Sequence, residues 1–232
     1  MAKVAIIGAG FAGHTAAIYL GNSLGRDHEI IMINKSNYFL YLPSLVWVGV
    51  GHMAPDKVQC PLQRIYERIQ VRFLQGTATA VHPDEQYLLV DPHPSGHQLR
   101  VDYDYLLIAT GPRLNWEATP GLGPKNGYTH SICWLGKTIF CRDAYFEQLE
   151  RMRRGEKVRM VIGTGHPAVT CQGVAFEYLM NIQRDLVASH FAPGAKWEKL
   201  HKMRPARNGK ACCSENSNHP SRLRTWTLPS NR

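Results

Sequence analysis

The hydrophobic positions open with a short unbroken block, Val4 to Ile7, of the kind that fills a strand buried on both faces. A glycine turn follows. Ala12, Ala16, Tyr19 and Leu20 then repeat at helical spacing, and Gly21 and Asn22 supply the expected stop. His28 to Ile33 reads as a second strand. Strand, helix and strand within about 30 residues predict a right-handed βαβ unit with parallel strands.

Further along, Tyr38 to Gly51 is aromatic, broken by Pro43 and without a period, so it reads as irregular. Pro61 to Ile69 predicts a short helix. Strands are expected at Val71–Leu74, Thr77–Val81, Tyr87–Val90, Leu99–Tyr103 and Tyr105–Ala109, with Pro and Gly turns separating several of them and with Leu106–Ala109 fully apolar and buried. The Gly/Pro-rich stretch 120–127 marks a boundary. Thr138 to Met152 is an amphipathic helix with Ile139, Phe140, Ala144, Phe146 and Leu149 expected inward. Arg151, Arg153 and Arg154 complement its dipole and Gly155 ends it. Val158–Ile162 reads as a buried strand, Gly163–Thr170 as a loop and Gln172–Leu186 as a helix, which together begin a second βα unit. After Pro193 the periodicity stops, and no strand is evident to pair with Val158–Ile162.

Composition narrows the class. With 232 residues, 44% of them hydrophobic, the chain can bury a sizeable core. No apolar run reaches about 18 residues, so no membrane span is expected. The first apolar block is too short for a signal peptide, and a cytoplasmic protein is expected. Six cysteines without a CxxC pair suggest neither a disulfide scaffold nor a metal site, since the adjacent Cys212 and Cys213 have no second pair to complete one. Residues 196–232 hold nine of the 27 Lys and Arg but only two of the 18 Asp and Glu. The net charge of +9 therefore belongs mainly to the tail and is not a nucleic-acid footprint. Solvated disorder is the expected state of that tail.

The first chemical signal is Gly8-x-Gly10-x-x-Gly13, placed between a buried strand and an apolar helix. Gly8 allows the tight turn, Gly10 lets backbone approach a pyrophosphate, and Gly13 permits close helix–strand packing. The helix N-terminus, with Phe11 and Ala12, stabilises phosphate charge. The acid that usually follows the second strand is absent. Asn34 and Lys35 stand there, and Asn34 retains hydrogen-bonding capacity toward a ribose. The second signal is Asp104-Tyr105-Leu106-Leu107-Ile108-Ala109-Thr110-Gly111-Pro112, a strand ending in Ala-Thr-Gly.

Together these two motifs resemble the flavin disulfide reductase superfamily. Three further segments resemble sulfide:quinone oxidoreductases: Tyr38-Phe39-x-x-x-Pro43-Ser44 with Trp47 to Gly51, then Ser131-Ile132-Cys133, then Val161-Ile162-Gly163 through Cys171-x-Gly173-x-Ala175-x-Glu177-Tyr178. The resemblance covers roughly residues 3–190. It implies an α/β fold with three parts. Residues 1–119 form a Rossmann-like FAD-binding domain with a β-rich insertion, 120–194 begin a second Rossmann-like domain, and 195–232 form a disordered tail. It implies FAD held by Gly8, Gly10, Phe11, Ala12, Gly13, Asn34 and Lys35, with Pro43, Thr110 and Gly111 along the flavin. It implies Cys133 and Cys171 as redox cysteines that take electrons from sulfide, and a quinone as acceptor. Cys60 and Cys141 lie in apolar patterns and read as core.

Gly163-x-Gly165-x-x-Ala168 keeps a rival reading open. Equivalent loops in many reductases bind NAD(P)H, although Pro167 removes one N–H from such a cradle. Members of the family are nearly twice this long, carry a third redox cysteine, and end in helices that hold them peripherally at the inner face of the cytoplasmic membrane. None of that is identifiable here, so a truncated chain is expected, with a non-catalytic FAD-binding fragment as the alternative.

Overall fold

A sheet of six strands, in the order β7-β6-β5-β2-β1-β8, organises the N-terminal half of the protein. The computed structural model describes residues 1–189 apart from residues 25, 124, 126–128, 167 and 170, together with the backbone of Trp226–Thr227. Apart from Trp226–Thr227, the expected disordered tail, with Cys212 and Cys213, lies outside the described residues. Two compact units form, one from Met1–Tyr41 and Asp56–Leu114, the other from Leu42–Pro55 and Asn115–Arg232.

In the first unit β1 (Lys3–Ile7) pairs in parallel with β2 (Glu29–Asn34) on one side and with β8 (Tyr105–Ile108) on the other. Between β1 and β2 runs α1 (Phe11–Leu24). The helix does not stop at Gly21. That glycine is buried because a side chain there would press into the Ile69 carbonyl at 2.7 Å, so it serves packing, and the helix continues to Leu24. Strands 71–74 and 77–81 merge into one long β5 (Arg72–His82). Its first residues extend the parallel sheet beside β2, and its later residues pair antiparallel with β6 (Tyr87–Pro92), which pairs with β7 (Leu99–Asp102). Gly76, read as a break, keeps β5 continuous, since a Cβ there would meet Val90 at 2.7 Å.

Apolar residues alternate between the two faces of this sheet. Ile6, Ile30 and Met32 pack under α1 with Tyr66 of α3 (Gln63–Arg68). Ala5, Ile7, Ile31 and Ile33 pack with Leu88, Val90 and Val101 of the antiparallel part. Each fully buried side chain of this kind contributes about 2 kcal/mol. The expectation that Leu106–Ala109 is buried fails, because β8 is the edge of the sheet. Tyr105 is 66% exposed and Ile108 61%.

The segment 38–51, expected to be irregular, is ordered. β3 (Tyr38–Leu40) pairs antiparallel with β4 (Gln59–Pro61), and a 3-10 turn at Leu42–Ser44 leads into α2 (Leu45–Gly49). Short-range periodicity misses such three- to five-residue elements. On the first unit's helical face His14 hydrogen-bonds the Tyr66 hydroxyl at 2.9 Å and stacks on Phe39. Burial lowers the His14 pKa from its ordinary 6.5. The unfolded chain therefore takes up the proton first as pH falls, and stability is lost progressively below about pH 6.5. Urea midpoints between pH 7.5 and 5.5 should fall for the native chain, and fall less for His14→Gln.

The second unit is built on α2, α4 (Leu135–Arg153) and α5 (Gly173–Ala188). The buried positions of α4 are Thr138, Tyr145 and Leu149, not Phe140 and Phe146, which are exposed. Leu149 is buried as expected, while Thr138 and Tyr145 take the other inward places, Tyr145 with its hydroxyl bonded to Asp185 of α5. The strand expected at Val158–Ile162 shrinks to β9 (Arg159–Met160), whose described partner is the antiparallel β10 (Trp226–Thr227). No helix among the described residues is long and apolar enough to cross a membrane.

Candidate functional site

The C-terminal ends of β1, β2 and β8 meet at the glycine turn, the position where open parallel sheets place ligands. Gly8 sits at φ +99°, its N–H donating to the Ile33 carbonyl at 2.8 Å. A Cβ on Gly8 would strike the Ala109 carbonyl, so only glycine lets the turn press against the end of β8. A Cβ on Gly13 would overlap the Gly8 carbonyl. Gly10 differs, because a Cβ there would meet no protein atom within 4 Å and would point into the space a ligand needs.

The helix α1 starts at once after this turn. Its first internal bond runs from the His14 N–H to the Gly10 carbonyl at 2.9 Å. The N–H groups of Gly10, Phe11, Ala12 and Gly13 are left without a protein acceptor among the described residues. Four backbone donors at the positive end of a 14-residue helix form an anion cradle. No acidic residue lies in the first turn to compete for them. The cradle fits the diphosphate of FAD.

Around it the other expected residues take these places. Asn34 ends β2, its Oδ1 accepting from the Ala9 N–H at 3.0 Å and its Nδ2 donating to the Ser36 carbonyl at 2.8 Å. Lys35 is exposed, with its carbonyl held by Gln75 Nε2 at 3.1 Å. Thr110 and Gly111 are exposed just beyond β8, Gly111 at φ +74°. Pro43, in the 3-10 turn ahead of α2, belongs to the second unit, as do Cys133 and Cys171.

In the second unit Cys133 and Cys171 are both free and exposed. Cys133 lies two residues before α4, its N–H donating to Ser131 Oγ at 3.2 Å. Cys171 lies two residues before α5. Two side-chain bridges link these helices. Cys141 Sγ meets the Tyr178 hydroxyl at 3.2 Å, and Tyr145 donates to Asp185 Oδ2 at 2.5 Å. Cys133 and Cys171 each lie two residues ahead of one of these bridged helices.

Cys141 is a different kind of thiol. The Tyr178 hydroxyl donates to the Gly49 carbonyl at 3.1 Å, which leaves its oxygen to accept from the Cys141 S–H. Burial pushes the Cys141 thiol pKa up, against a smaller lowering from Tyr178. Protonated and half-buried, it is unsuited to exchange chemistry. Cys60, expected in the core, is exposed, because β4 is a short strand paired on one side only.

Sequence reasoning missed the polar links that hold this unit. Asp185 also pairs with His52 Nε2 at 2.8 Å, tying the residues after α2 to α5. Burial and the Asp185 carboxylate raise the Tyr145 hydroxyl well above its ordinary pKa, so it stays a donor. The available signal was a carboxylate at position i+7 from Tyr178 on the apolar stripe of α5. Asn181 on the same helix is buried with its Nδ2 unpaired.

The glycine segment of the second unit is built unlike the first. Ten positions separate Gly163 from Gly173, where α5 begins, and none of the described residues between β9 and α5 is helical. Thr119 Oγ1 donates to the Gly165 carbonyl at 2.7 Å, and the His166 ring accepts from the Ala168 N–H at 3.1 Å. The described residues of this loop do not place a helix N-terminus at Gly163 or Gly165.

Comparison with known proteins gives consistent results. The family model described as pyridine nucleotide-disulphide oxidoreductase matches residues 2–185. The chain is 29% identical over 187 residues to a sulfide-quinone reductase of Aquifex aeolicus (strain VF5), covering 80% of this chain and 40% of that protein. It is 29% identical over 127 residues to the external alternative NAD(P)H-ubiquinone oxidoreductase B3, mitochondrial, of Arabidopsis thaliana, covering 52% of this chain and 21% of that one. Among solved structures it resembles the sulfide:quinone oxidoreductase of Aquifex aeolicus, with TM-score 0.64 and 22% identity over 82% of this chain and 41% of the other. It also resembles NDH2 from Plasmodium falciparum in complex with NADH, with TM-score 0.54 and 20% identity over 66% and 30%. The chain spans about 40% of the length of the Aquifex aeolicus protein.

Proposed function

The chain belongs to the pyridine nucleotide-disulphide oxidoreductase family of FAD-binding flavoproteins, and from that premise we propose that it oxidises sulfide through Cys133 and Cys171 and passes the electrons by way of FAD to a quinone. The observation that supports this reading is that Cys133 and Cys171 are both free and exposed, each two residues ahead of a helix of the second unit.

In the proposed cycle the Cys133 and Cys171 thiols first give up two protons and two electrons, which FAD would accept when bound, and join as a disulfide. Hydrosulfide attacks the sulfur of Cys171, the S–S bond breaks, and Cys133 leaves as a thiolate with the electron pair. Cys171 is then a persulfide. When the Cys133 thiolate closes on it, a bridge longer by one sulfur forms, and two electrons and one proton are released. FAD supplies the two-electron acceptor that connects a thiolate to a quinone. Gly10, Phe11, Ala12 and Gly13 hold its diphosphate through their N–H groups, and Gly8 shapes the turn that aims them. Lys35, Thr110 and Gly111 complete the proposed cofactor contacts. The membrane-peripheral placement proposed for longer relatives follows from the quinone and carries over only as part of this reading.

Similarity to NAD(P)H-oxidising relatives supports a second reading, in which Gly163–Ala168 holds a nicotinamide nucleotide. The distance in sequence from those glycines to α5 favours the first reading, because a dinucleotide cradle needs the helix to begin at the loop.

A visible spectrum of the full chain loaded with FAD, recorded before and after anaerobic sulfide, tests the proposal. Loss of the oxidised-flavin absorption on adding sulfide is expected. A spectrum unmoved by sulfide but bleached by NADH or NADPH would establish the second reading. One unmoved by either would leave a nucleotide-binding fragment.

A further inference from the structure

Dinucleotide-binding folds ordinarily end their second strand in a carboxylate that hydrogen-bonds the adenosine ribose. Here that place holds Asn34, and both ends of its carboxamide are already engaged. Oδ1 accepts from the Ala9 N–H at 3.0 Å, inside the glycine turn, and Nδ2 donates to the Ser36 carbonyl at 2.8 Å, in the turn that leaves β2. We infer that Asn34 is a positioning residue for the nucleotide, one that braces the glycine turn and acts on the diphosphate through it instead of clasping the ribose. The inference rests on this turn being the FAD diphosphate cradle.

The physical case comes from counting donors. Six consecutive N–H groups line the turn from Gly8 to Gly13. Gly8 spends its own on Ile33 and Ala9 spends its own on Asn34. The remaining four, Gly10 to Gly13, are the ones the cradle leaves open. Holding the Ala9 N–H fixes the Gly8–Ala9 peptide plane, one residue ahead of the first open donor at Gly10. The other end of the brace is equally anchored. Ser36 is held by Asn34 Nδ2, and Lys35 by Gln75 Nε2 at 3.1 Å, so both carbonyls of that turn are satisfied. An amide is the group that serves here, because one end must accept and the other must donate.

This account makes a prediction opposite to that of a ribose clasp. Asn34→Asp restores the residue type dinucleotide folds ordinarily carry. A carboxylate accepts only, so one oxygen keeps Ala9 while the other faces the Ser36 carbonyl. The brace then opens at one end, and a negative charge stands beside the bound diphosphate. The FAD dissociation constant of the full chain, read by quenching of flavin fluorescence, is expected to rise about tenfold or more in N34D. Equal or tighter binding in N34D overturns the inference.

Asn34→Ser provides the second arm, without added charge. Its loss of affinity is measured for ADP and for 2′,3′-dideoxy-ADP by calorimetry. A brace acting on the diphosphate predicts the same fold loss for both ligands. A loss confined to ADP would show a ribose contact and overturn the inference, as would failure of the native chain to bind either FAD or ADP. Neither arm involves sulfide or quinone, so loss of the proposed oxidation chemistry would leave this result standing.

Discussion

Gly13→Ala is expected to abolish FAD binding and to cost the first unit about 3 kcal/mol of stability, whereas Gly10→Ala is expected to abolish FAD binding at almost no cost. The added methyl at Gly13 overlaps the carbonyl of Gly8 and comes within 3.1 Å of Ala109 Cβ. The Gly8 carbonyl is backbone, and Gly8 is itself pressed against the Ala109 carbonyl at φ +99°. No flexible side chain is available to give way, so β1, α1 and the end of β8 must separate. At Gly10 the same methyl meets nothing within 4 Å. Stability should change by no more than about 0.5 kcal/mol, while the methyl occupies the approach a diphosphate needs. Urea unfolding followed by tyrosine fluorescence and far-UV circular dichroism, with a FAD titration, on both variants checks the pair. Equal destabilisation by the two substitutions would mean the turn does not divide its glycines between packing and binding.

Cys171→Ser and Cys133→Ser should each slow sulfide-dependent bleaching of the FAD-loaded chain by more than about a hundredfold, as removal of a nucleophile does. FAD affinity should stay within about twofold, since neither residue belongs to the unit that carries the glycine turn. The serine hydroxyl is isosteric but forms no bridge, so Cys171→Ser removes the sulfur that hydrosulfide attacks and Cys133→Ser removes the leaving thiolate. Cys60→Ser and Cys141→Ala are the comparison variants. Cys60 is exposed on β4 in the first unit, and Cys141 is a protonated thiol bound to Tyr178. Stopped-flow absorbance after anaerobic mixing with sulfide separates the four. Unchanged rates in Cys133→Ser and Cys171→Ser would remove the cysteines from the proposed chemistry.

Residue order alone carried the glycine turn, the first βαβ unit and the long helices. These signals are local. Apolar blocks set β1 and β2, helical spacing set α1 and α5, and fixed glycine spacing set the turn between β1 and α1. The motif segments around Cys133 and Cys171 were legible for the same reason, as short runs of defined residue types. Tertiary structure decided what depends on neighbours far along the chain. Leu107 and Ile108 look like core in sequence but lie on an edge strand, because burial of a strand is set by how many strands flank it and not by its own composition. Gly21 and Gly76 look like breaks but serve close packing against Ile69 and Val90, contacts that local spacing cannot show. Asn34 looks like a ribose ligand, yet its amide is engaged by Ala9 and Ser36, because the hydrogen-bonding capacity of a side chain is visible in sequence while its partners are not. The same holds for the two cysteines. Their identity was written in the chain, but the linking of the helices that follow them was set by Tyr145 reaching Asp185 and Cys141 reaching Tyr178 across 40 and 37 residues, contacts that only the folded helices create.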